Sequence, residues 1–339
     1  MKRCTISLDE LCDWSGLCAA FYRAAKGKRH RSAVRQFENS LSDELSLLQR
    51  QVLERSYQPD PMVSFWIRDP KQRLIHAPSF RDRVLHHALM DKVGPVLDRV
   101  LVDDTFACRK GRGTVAAVKR CQQHMQRYRW YVKIDMASYF ASINRSKLLQ
   151  LLERKFKDKR LLELLGVIVN SHHHEPGKGL PIGALTSQHF ANYYLSGFDR
   201  LLLEQFGVRG MVRYMDDVIW WVDDRVVAKA SLQAATRWLD LERSLTVKRG
   251  SVINHSTAGI TFCGYRVLPQ QIRLTRRMKH RVATNRARWE SAWLNGQIDS
   301  LELQSGISSV YSAARHANAK AWCKEQLKRV PPHIGLEHV

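Results

Sequence analysis

The sequence predicts an α+β protein in which helices surround an antiparallel sheet. Long stretches with helical periodicity alternate with short runs of β-branched and aromatic residues. The runs on either side of Asp216 and Asp217 are joined by a turn too short for a parallel crossover, so they pair as a hairpin. With 339 residues, of which 44% are hydrophobic and 26% charged, the chain is long enough for two to three subdomains.

The charge balance predicts a polyanionic partner. The chain has 55 Lys and Arg against 32 Asp and Glu, a net charge of +23. Nucleic acid is favoured over a membrane, because the sequence has no amphipathic anchor and no apolar run of membrane-spanning length. Seven scattered cysteines without a Cys-x-x-Cys pair indicate reduced thiols rather than disulfides or zinc. No apolar signal core follows the basic start, so a cytoplasmic protein is expected.

The N-terminal third is predicted to be helical over residues 6–56 and β-like over 63–78. Between the helices, the basic loop 26–31 is either a solvated turn or a phosphate contact. In the β-like segment Asp69 and Pro70 mark a turn, and Lys71 and Arg73 then point the same way along a strand. Two cations aimed together can hold a triphosphate, although a solvated hairpin tip is the simpler interpretation of this segment by itself.

The middle of the chain is predicted to contain a helix over 79–102 that breaks or kinks at Gly94-Pro95. The basic, glycine-bearing loop 108–114 then precedes a helix whose N-terminus could accept phosphates. A strand ends at Asp135, which is either a metal ligand or the N-cap of a helix starting near Asn144. Helices follow at about 146–170. Three adjacent histidines, 172–174, are not expected to bind one ion, because ligands normally come from spaced positions.

The segment 180–188 leads into a helix predicted from His189 to about Phe206, and Gly183 would let a substrate lie against the backbone. Asp216-Asp217 then tips the hairpin. Most Asp-Asp pairs are solvated turns, but two acids on a rigid tip are costly side by side unless a cation such as Mg²⁺ joins them. Beyond it lie a helix at 226–243, strands at 252–253 and 260–267, and a helical tail from Thr275. Its cations favour phosphate tracking, because six of them precede the first acid, Glu290: Arg276, Arg277, Lys279, Arg281, Arg286 and Arg288.

The order of these pieces resembles the palm of a reverse transcriptase. Asp135 matches motif A, Ile182-Gly183 motif B, the Tyr-x-Asp-Asp box at 214–217 motif C, and Phe262 to Tyr265 motif E. Lys71-x-Arg73 and the Arg-Asp-Arg triplet at 81–83 look like the fingers motifs, so the resemblance covers about residues 60–268. It implies a right-hand polymerase fold: an N-terminal helical extension and fingers at 1–125, a palm at 126–268 with fingers helices inserted around 146–175, and a helical basic thumb at 269–339.

The resemblance also implies the site. The catalytic and metal-binding residues would be Asp135 and Asp216, supported by Asp217 and with Met136 in the same metal site. They would hold two Mg²⁺ ions, for which Mn²⁺ can substitute. Nucleotide-binding residues would be Lys71, Arg73, Tyr139, the steric-gate residue Phe140, Ile182, Gly183 and Gln188. Primer and template would contact Tyr214, Phe262, Gly264, Tyr265, Arg276, Arg277, Lys279 and Arg281. The implied substrates are dNTPs, a template RNA and its RNA/cDNA hybrid.

Motif B departs from the common Pro-Gln-Gly-x-x-x-Ser-Pro pattern. Ile182 replaces the Gln and Gln188 replaces the last Pro. This form is similar to the reverse transcriptases of diversity-generating retroelements, bacterial or phage-encoded enzymes whose cDNA carries errors at adenines. That resemblance implies a small, basic, oligomeric accessory variability protein as partner. A physical hypothesis follows: Ile182 cannot donate the hydrogen bond that a Gln would, so mispairs would be penalised less.

Two alternatives remain open on sequence grounds. A retron-like or phage-defence reverse transcriptase differs in motif B but not in the catalytic acids. A nucleic-acid-binding scaffold without catalysis would have no reason to keep all three aspartates. A group II intron protein is not expected, because the residues after Val267 suffice for a thumb but not for an added maturase or endonuclease domain.

Overall fold

Four helices and a β-hairpin form the N-terminal part of the chain. The structure is a computed structural model that describes residues 3–68, 72–172 and 175–329. The helices predicted within 6–56 are confirmed, with Ser7 and Asp13 capping the first two. They are α1 (Leu8–Leu11), α2 (Trp14–Ala25), α3 (Ser32–Asn39) and α4 (Leu41–Leu53). The hairpin pairs β1 (Val63–Arg68) with β2 (Gln72–Ala77), and every residue of β1 is exposed. Its predicted turn at Asp69-Pro70 lies outside the described residues.

Helices α5 (Phe80–Asp98) and α6 (Thr114–Arg127) follow. A break or kink is predicted at Gly94-Pro95, and the break is wrong, because α5 continues through Pro95 to Asp98. A proline lacks the N–H that would bond the carbonyl four residues earlier, here Asp91. Asp91 is exposed, so water can satisfy that carbonyl and the helix is not interrupted. The glycine-bearing loop before α6 is as predicted, with Gly111 and Gly113 at positive φ.

A four-stranded antiparallel sheet occupies the centre of the protein in the strand order β4-β5-β3-β6. Its strands are β3 (Trp130–Asp135), β4 (Gly210–Tyr214), β5 (Asp217–Val222) and β6 (Val252–His255). The helices between and after them are α7 (Tyr139–Ser142), α8 (Arg145–Lys155), α9 (Lys159–Asn170), α10 (Leu185–Tyr194), α11 (Ser196–Gln205) and α12 (Arg225–Arg243). This architecture confirms the α+β class and the antiparallel sheet.

Two boundaries in this region differ from the prediction. The helix expected from His189 begins at Leu185 instead, and it is interrupted at Leu195 into α10 and α11. Asn144, not Asp135, caps α8, since its side chain accepts a hydrogen bond from the Lys147 N–H at 3.0 Å. Asp135 is therefore free of the capping role that the sequence left open.

The C-terminal part is a small sheet followed by three helices. After a short 3₁₀ turn (Ser256–Ala258), the strands β7 (Ile260–Phe262), β8 (Tyr265–Val267) and β9 (Ile272–Leu274) pair antiparallel in that order. The single strand predicted over 260–267 is thus two strands, with Cys263 and Gly264 at positive φ in the turn between them. The helices are α13 (Arg276–Leu294), α14 (Ser300–Arg315) and α15 (Lys320–Arg329), which confirms the helical tail.

The central sheet is buried on both faces. Successive side chains of a strand point to opposite faces. Val132 and Trp220 accordingly belong to a large hydrophobic cluster with the N-terminal helices and α8–α12. Tyr131 and Trp221 belong to a second cluster with α6 and the β7–β9 sheet. By the same alternation, the side chain of Asp135 projects on the face of the second cluster.

Two further expectations can be compared with the structure. All seven cysteines are free thiols, as predicted. In the part of the chain that the structure describes, no helix has both the length and the apolar character needed to cross a membrane.

Candidate active site

Two strand ends bring the predicted acids together. Asp135 is the last residue of β3, and its Cα partner across the sheet is Asp217, the first residue of β5. Directly opposed residues of an antiparallel pair have neighbouring side chains. Asp216 lies in the turn between β4 and β5, next to Met215, which adopts a left-handed φ of 60°. The turn therefore presents an acid at the end of the strand that carries Asp135.

Burial and neighbouring charge raise the pKa values of the two acids at the turn. Burial, together with the neighbouring Asp135 carboxylate, raises the pKa of Asp216 to about 6. Burial also raises the pKa of Asp217, and the Lys133 ammonium opposes that rise. Desolvation and a second carboxylate both disfavour the charged form of an acid. The site consequently favours binding of a positive charge.

Two lysines supply part of the positive charge at the site. The sequence did not predict either of them. Lys248 Nζ lies 2.6 Å from Asp135 Oδ2, and Lys133 Nζ lies 3.1 Å from Asp217 Oδ2. The segment that carries Lys248 runs beside motif A, because Ala137 N–H donates to the Thr246 carbonyl at 2.9 Å. A lysine 113 residues from its acid leaves no signal in sequence spacing.

The donor set fits a hard divalent cation. Asp135 and Asp216 offer carboxylate oxygens, the ligands that Mg²⁺ prefers. One oxygen of Asp217, Oδ1, is buried without a hydrogen-bond partner. Within the described ranges, however, no three acidic, His or Cys side chains converge closely enough to form a complete metal cluster. The arrangement is a close pair, Asp135 and Asp216, with Asp217 held toward Lys133.

Of the three adjacent histidines, the structure describes His172. His173 and His174 lie outside the described residues. The ring of His172 lies 4.0 Å, centroid to centroid, from the ring of His76 on β2.

A fully buried ion pair supports the turn from behind. Arg213 Nε and Nη2 donate to the two carboxylate oxygens of Asp199, each at 2.7 Å, and both side chains are completely buried. Arg213 Nη1 also donates to the Met215 carbonyl at 3.1 Å and to the Asn192 amide oxygen at 3.1 Å. Arg213 thereby ties the strained turn to α10 and α11.

The two aromatics after Asp135 have different environments. Tyr139 is buried, and its hydroxyl donates to the Ala191 carbonyl at 2.6 Å, so its side chain joins motif A to α10 rather than facing a nucleotide. Phe140 is partly exposed, in edge contact with Tyr139 at 5.7 Å between ring centroids. The side chain of Met136 is also fully buried, which leaves its backbone as the part that could reach a metal.

Motif B, which we define as residues 180–188 and call the glycine loop, ends in the first turn of α10 and lies between motif A and the β1–β2 hairpin. Leu180 N–H donates to the Phe140 carbonyl at 2.8 Å, and His76 N–H donates to the Ile182 carbonyl at 2.8 Å. Gly183 has φ +127°, and a Cβ there would lie 2.9 Å from the His76 carbonyl oxygen. The amide oxygen of Gln188 accepts from Cys108 Sγ at 3.3 Å. The loop therefore connects the acid site to the hairpin.

The predicted triphosphate cations are only partly described. Arg73 is exposed on β2, on the same face of the hairpin as Ile75. Lys71 lies outside the described residues.

The predicted primer-binding segment is a buried turn rather than an open strand. Phe262 and Tyr265 are buried, and the Tyr265 hydroxyl donates to the Ala313 carbonyl at 3.0 Å. Gly264, at φ +86°, lies in the turn between them. The hairpin is tied to the acid site because Lys133 Nζ also donates to the Thr261 carbonyl at 2.8 Å. Tyr214 is partly buried, and its hydroxyl accepts from Thr114 Oγ1 at 3.2 Å.

The predicted phosphate-binding cations of α13 do not all face solvent. Arg276, Arg277 and Arg281 are exposed on α13, and Lys279 lies 5.6 Å from the centre of the Trp322 ring. Arg286 is buried and pairs with Glu290 at 2.6 Å. The expectation that it belongs to the phosphate-tracking face is therefore wrong. Arg288 remains exposed.

The sequence matches the model of a known protein family. The model of the family described as reverse transcriptase (RNA-dependent DNA polymerase) matches residues 67–265, more than half of the chain. The match includes β2 of the hairpin, the glycine loop and the acid turn.

Individual relatives are distant. Protein YkfC of Escherichia coli is 26% identical over 179 residues, which cover 49% of this chain and 47% of that protein. The group II intron-encoded protein LtrA of Lactococcus lactis is 26% identical over 158 residues, 44% of this chain and 26% of that protein. The chain thus spans less than half the length of these curated relatives. A structure of apo telomerase from Candida tropicalis, truncated from its C-terminal domain, aligns over 67% of this chain and 59% of that one at 13% identity and a TM-score of 0.46, a likeness too weak to argue from.

Proposed function

The chain belongs to the reverse transcriptase (RNA-dependent DNA polymerase) family, and from that premise we propose that it is an RNA-directed DNA polymerase. One observation carries the proposal: the fold brings Asp135 and Asp216 together at one end of the central sheet, where burial and mutual repulsion raise the pKa of Asp216. An acid pair of this kind, in a protein with a net charge of +23, suits metal-dependent chemistry on a nucleic acid.

Asp135 and Asp216 would hold Mg²⁺, with Asp217 as a supporting group and the backbone of Met136 next to them. Mn²⁺ takes the same oxygen ligands. When bound, two such ions activate a primer hydroxyl and neutralise charge on a triphosphate and its leaving group. The protein's own contribution is to hold the carboxylates rigidly, since Arg213 fixes the turn and Lys133 and Lys248 restrain the oxygens of Asp217 and Asp135.

Other residues would bind and select the substrates. Phe140, partly exposed next to motif A, would exclude a ribose 2′-hydroxyl. Arg73, with Lys71 beyond the described residues, would hold the triphosphate. Gly183 would let the nucleotide lie against the backbone. The exposed cations of α13 would contact the primer–template backbone.

Primer extension tests this proposal. Wild type should incorporate dNTPs on a primed RNA template in Mg²⁺, and Asp216→Asn should not, because an amide is a poorer metal ligand and carries no charge. Asp240→Asn, an exposed acid on α12, is the matched control and should retain wild-type activity. Equal incorporation by Asp216→Asn and wild type would refute the proposal and favour the non-catalytic scaffold.

We further propose that the enzyme serves a diversity-generating retroelement and makes adenine-mutagenic cDNA. The form of motif B, with Ile182 before Gly183 and Gln188 at the end, supports this subtype. The His76 N–H donates to the Ile182 carbonyl and fixes the backbone at this position. The side chain of Ile182 is apolar, whereas a Gln at the same position would offer an amide. The proposed partners are the template RNA and a small, basic, oligomeric accessory protein.

Sequencing of the cDNA separates the subtypes. Errors concentrated opposite template adenines, and reduced in Ile182→Gln, would support the mutagenic enzyme. An unchanged adenine error rate in Ile182→Gln would contradict the role given to Ile182. Accurate cDNA from the wild type, with its cognate RNA and accessory protein present, would favour the retron-like or phage-defence alternative.

A further inference from the structure

The loop between α5 and α6 contacts the last residue of motif B through a thiol. Cys108 lies in this loop, and its Sγ donates a hydrogen bond to Gln188 Oε1 at 3.3 Å. Gln188 stands where the common form of motif B has Pro. A proline side chain accepts no hydrogen bond, so the contact depends on the form of motif B that this chain has.

The loop is fixed on the N-terminal side of this contact. Phe106 N–H donates to the carbonyl of Arg213, in the strand that leads to the acid turn, at 2.9 Å. Asn192 Nδ2 donates to the Ala107 carbonyl at 2.6 Å. Because Asn192 lies four residues after Gln188, the two side chains are on one face of α10. That face of α10 therefore binds two successive residues of the loop.

The backbone at Cys108 has an unfavourable conformation. Its φ is 54°, in the left-handed region that residues with a Cβ rarely adopt. Strained backbone of this kind persists where the surrounding structure holds it, and it is frequent at functional sites. Cys108 is exposed, so packing in the hydrophobic core does not require a cysteine here. Its contact with motif B is a reason for the residue that packing does not supply.

The thiol determines which end of the Gln188 amide is free. Although Cys108 is exposed as a residue, partial burial raises the pKa of its thiol, which stays protonated at pH 7 and can donate. An amide has one acceptor oxygen and an NH₂ group with two donors. Oε1 is bonded to Sγ, and Nε2 has no hydrogen-bond partner within the described part of the chain. The amide nitrogen is therefore the end that a ligand can bind.

We propose that Cys108 is a positioning residue, whose thiol binds Gln188 Oε1 and thereby presents the Nε2 donor to the incoming nucleotide. The inference rests on the proposed function, because it takes Gln188 to be a nucleotide-binding residue. Without the thiol, the amide can turn about its last side-chain bond and offers an acceptor as readily as a donor. Cys108 does not touch the nucleotide and acts through Gln188.

A double-mutant cycle in primer extension tests the inference. Cys108→Ala should raise the KM for dNTP about twofold to tenfold, the effect of one neutral hydrogen bond, and leave kcat nearly unchanged. Gln188→Ala should raise the KM at least as much. The double variant should have the KM of Gln188→Ala, because the thiol then has no side chain to position.

Two further variants serve as controls. Cys108→Ser keeps a donor at the same position and should keep a KM close to that of wild type. Cys18→Ala removes a partly exposed thiol from α2 instead and should leave the KM unchanged. Because Cys108 is exposed, Cys108→Ala should also unfold at the same denaturant concentration as wild type.

Thiol alkylation tests the contact without polymerase activity. The rate at which iodoacetamide alkylates Cys108, followed by mass spectrometry of its peptide, should rise severalfold in Gln188→Ala. The thiol then loses the acceptor that stabilises its protonated form, and the thiolate is the reactive species. The rate at the partly exposed Cys323, measured in the same digest, should not change.

Three outcomes would overturn the inference. They are additive effects of Cys108→Ala and Gln188→Ala on the KM, a Cys108→Ser variant as impaired as Cys108→Ala, and equal alkylation of Cys108 in wild type and Gln188→Ala. Failure of the proposed function gives a different result. Absence of primer extension by wild type would refute the polymerase, while faster alkylation in Gln188→Ala would still retain the contact between the thiol and the amide.

Discussion

At the scale of the residue, Asp216 should make the protein's stability depend on pH. Its folded pKa of about 6 lies above the unfolded value of about 3.9. A raised folded pKa contributes stability that is complete below the unfolded pKa and is lost as pH rises through the folded pKa. In EDTA, the Tm of wild type should therefore fall relative to that of Asp216→Asn between pH 4 and pH 7. Thermal denaturation across this range measures the difference.

Mg²⁺ should reverse this dependence, because binding requires the deprotonated pair. The increase in Tm produced by Mg²⁺ should be larger at pH 7 than at pH 5 in wild type, and absent at both in Asp216→Asn. Asp240→Asn serves as the control and should behave as wild type. A Mg²⁺ response that is the same at pH 5 and pH 7 would contradict the assignment of the metal to this pair.

Some residues of the site could be predicted from the sequence, and others could not. The three aspartates could be identified because they stand at strand ends, or in the turn between two strands, in a recognisable order. Lys133 and Lys248 could not be identified, because their acidic partners are 84 and 113 residues away in the sequence. A single lysine also does not stand out in a strongly basic chain. The ion pair of Arg213 with Asp199 was missed because burial of two charges is a property of packing, which no local pattern records.

At the scale of the element, the glycine loop should depend on Gly183. Alanine there would adopt φ +127° and place its Cβ 2.9 Å from both the His76 carbonyl oxygen and Ile75 Cγ2. Strained backbone of this kind costs ~1–3 kcal/mol. Gly183→Ala should therefore lower the free energy of unfolding by about that amount and raise the KM for dNTP, as measured by denaturant titration and steady-state kinetics.

Gly166→Ala is the matched control. Gly166 lies within α9 at ordinary φ, with nothing within 4 Å of an added Cβ. Alanine is the better helix former by ~0.8–1.0 kcal/mol, so this variant should be equally or more stable than wild type with an unchanged KM. Equal effects of the two substitutions would contradict the special role of the loop.

Helix α11 supports the acid turn through the ion pair of Asp199 with Arg213. Arg213→Met would leave Asp199 charged, buried and unpaired, and would remove a donor from the Met215 carbonyl. Breaking a buried pair from one side costs ~3–5 kcal/mol. The free energy of unfolding should fall by about that much.

Arg213→Met/Asp199→Leu is the informative comparison, because it replaces both charges with apolar groups and should recover most of the stability. Its Mg²⁺-dependent activity should nevertheless stay low, since the Met215 carbonyl still lacks its donor. Full recovery of activity in the double variant would show that Arg213 stabilises the fold without positioning the turn.

Periodicity predicted most elements, and its failures have local causes. Regular apolar spacing predicts the helices of residues 6–56 and of the tail. It also predicts the strands next to Asp135 and next to the Asp216-Asp217 turn. Pro95 did not end α5, because the carbonyl that loses its donor belongs to the exposed residue Asp91 and can bond water. The sequence predicts a strand at Cys263 and Gly264, because the flanking residues form one β-rich run and Cys263 gives no sign of its positive φ.

At the scale of the whole molecule, contacts between exposed cations and phosphates should dominate affinity for nucleic acid, because the chain has a net charge of +23. Arg276 and Arg277 are exposed at the start of α13. Replacing both with alanine should reduce the slope of log affinity against log salt by ~0.7–0.9 for each phosphate that is no longer neutralised. Lys229→Ala/Arg237→Ala changes the net charge equally and should leave the slope nearly unaltered. Equal slopes for the two double variants would contradict a binding face on α13.

Two hydrophobic clusters, one on each face of the central sheet, stabilise the sheet that holds the acid site. The large hydrophobic cluster connects the sheet to the N-terminal helices, and the second connects it to α6 and the small C-terminal sheet. The alternation of helical and β-rich segments predicted the α+β class, and the family resemblance identified the order of the motifs. The sharing of each cluster between distant segments depends on tertiary packing and could not be obtained from the sequence.

The most direct test is the single-turnover rate of dNTP incorporation on a primed RNA template, measured against Mg²⁺ concentration for Asp135→Asn, Asp216→Asn and Asp217→Asn. The close pair predicts losses of ~10³-fold or more for Asp135→Asn and Asp216→Asn, about 4 kcal/mol in the barrier, that added Mg²⁺ does not restore. Asp217→Asn should lose less and need more Mg²⁺. A wild-type rate in Asp216→Asn, or three equal losses, would contradict the account.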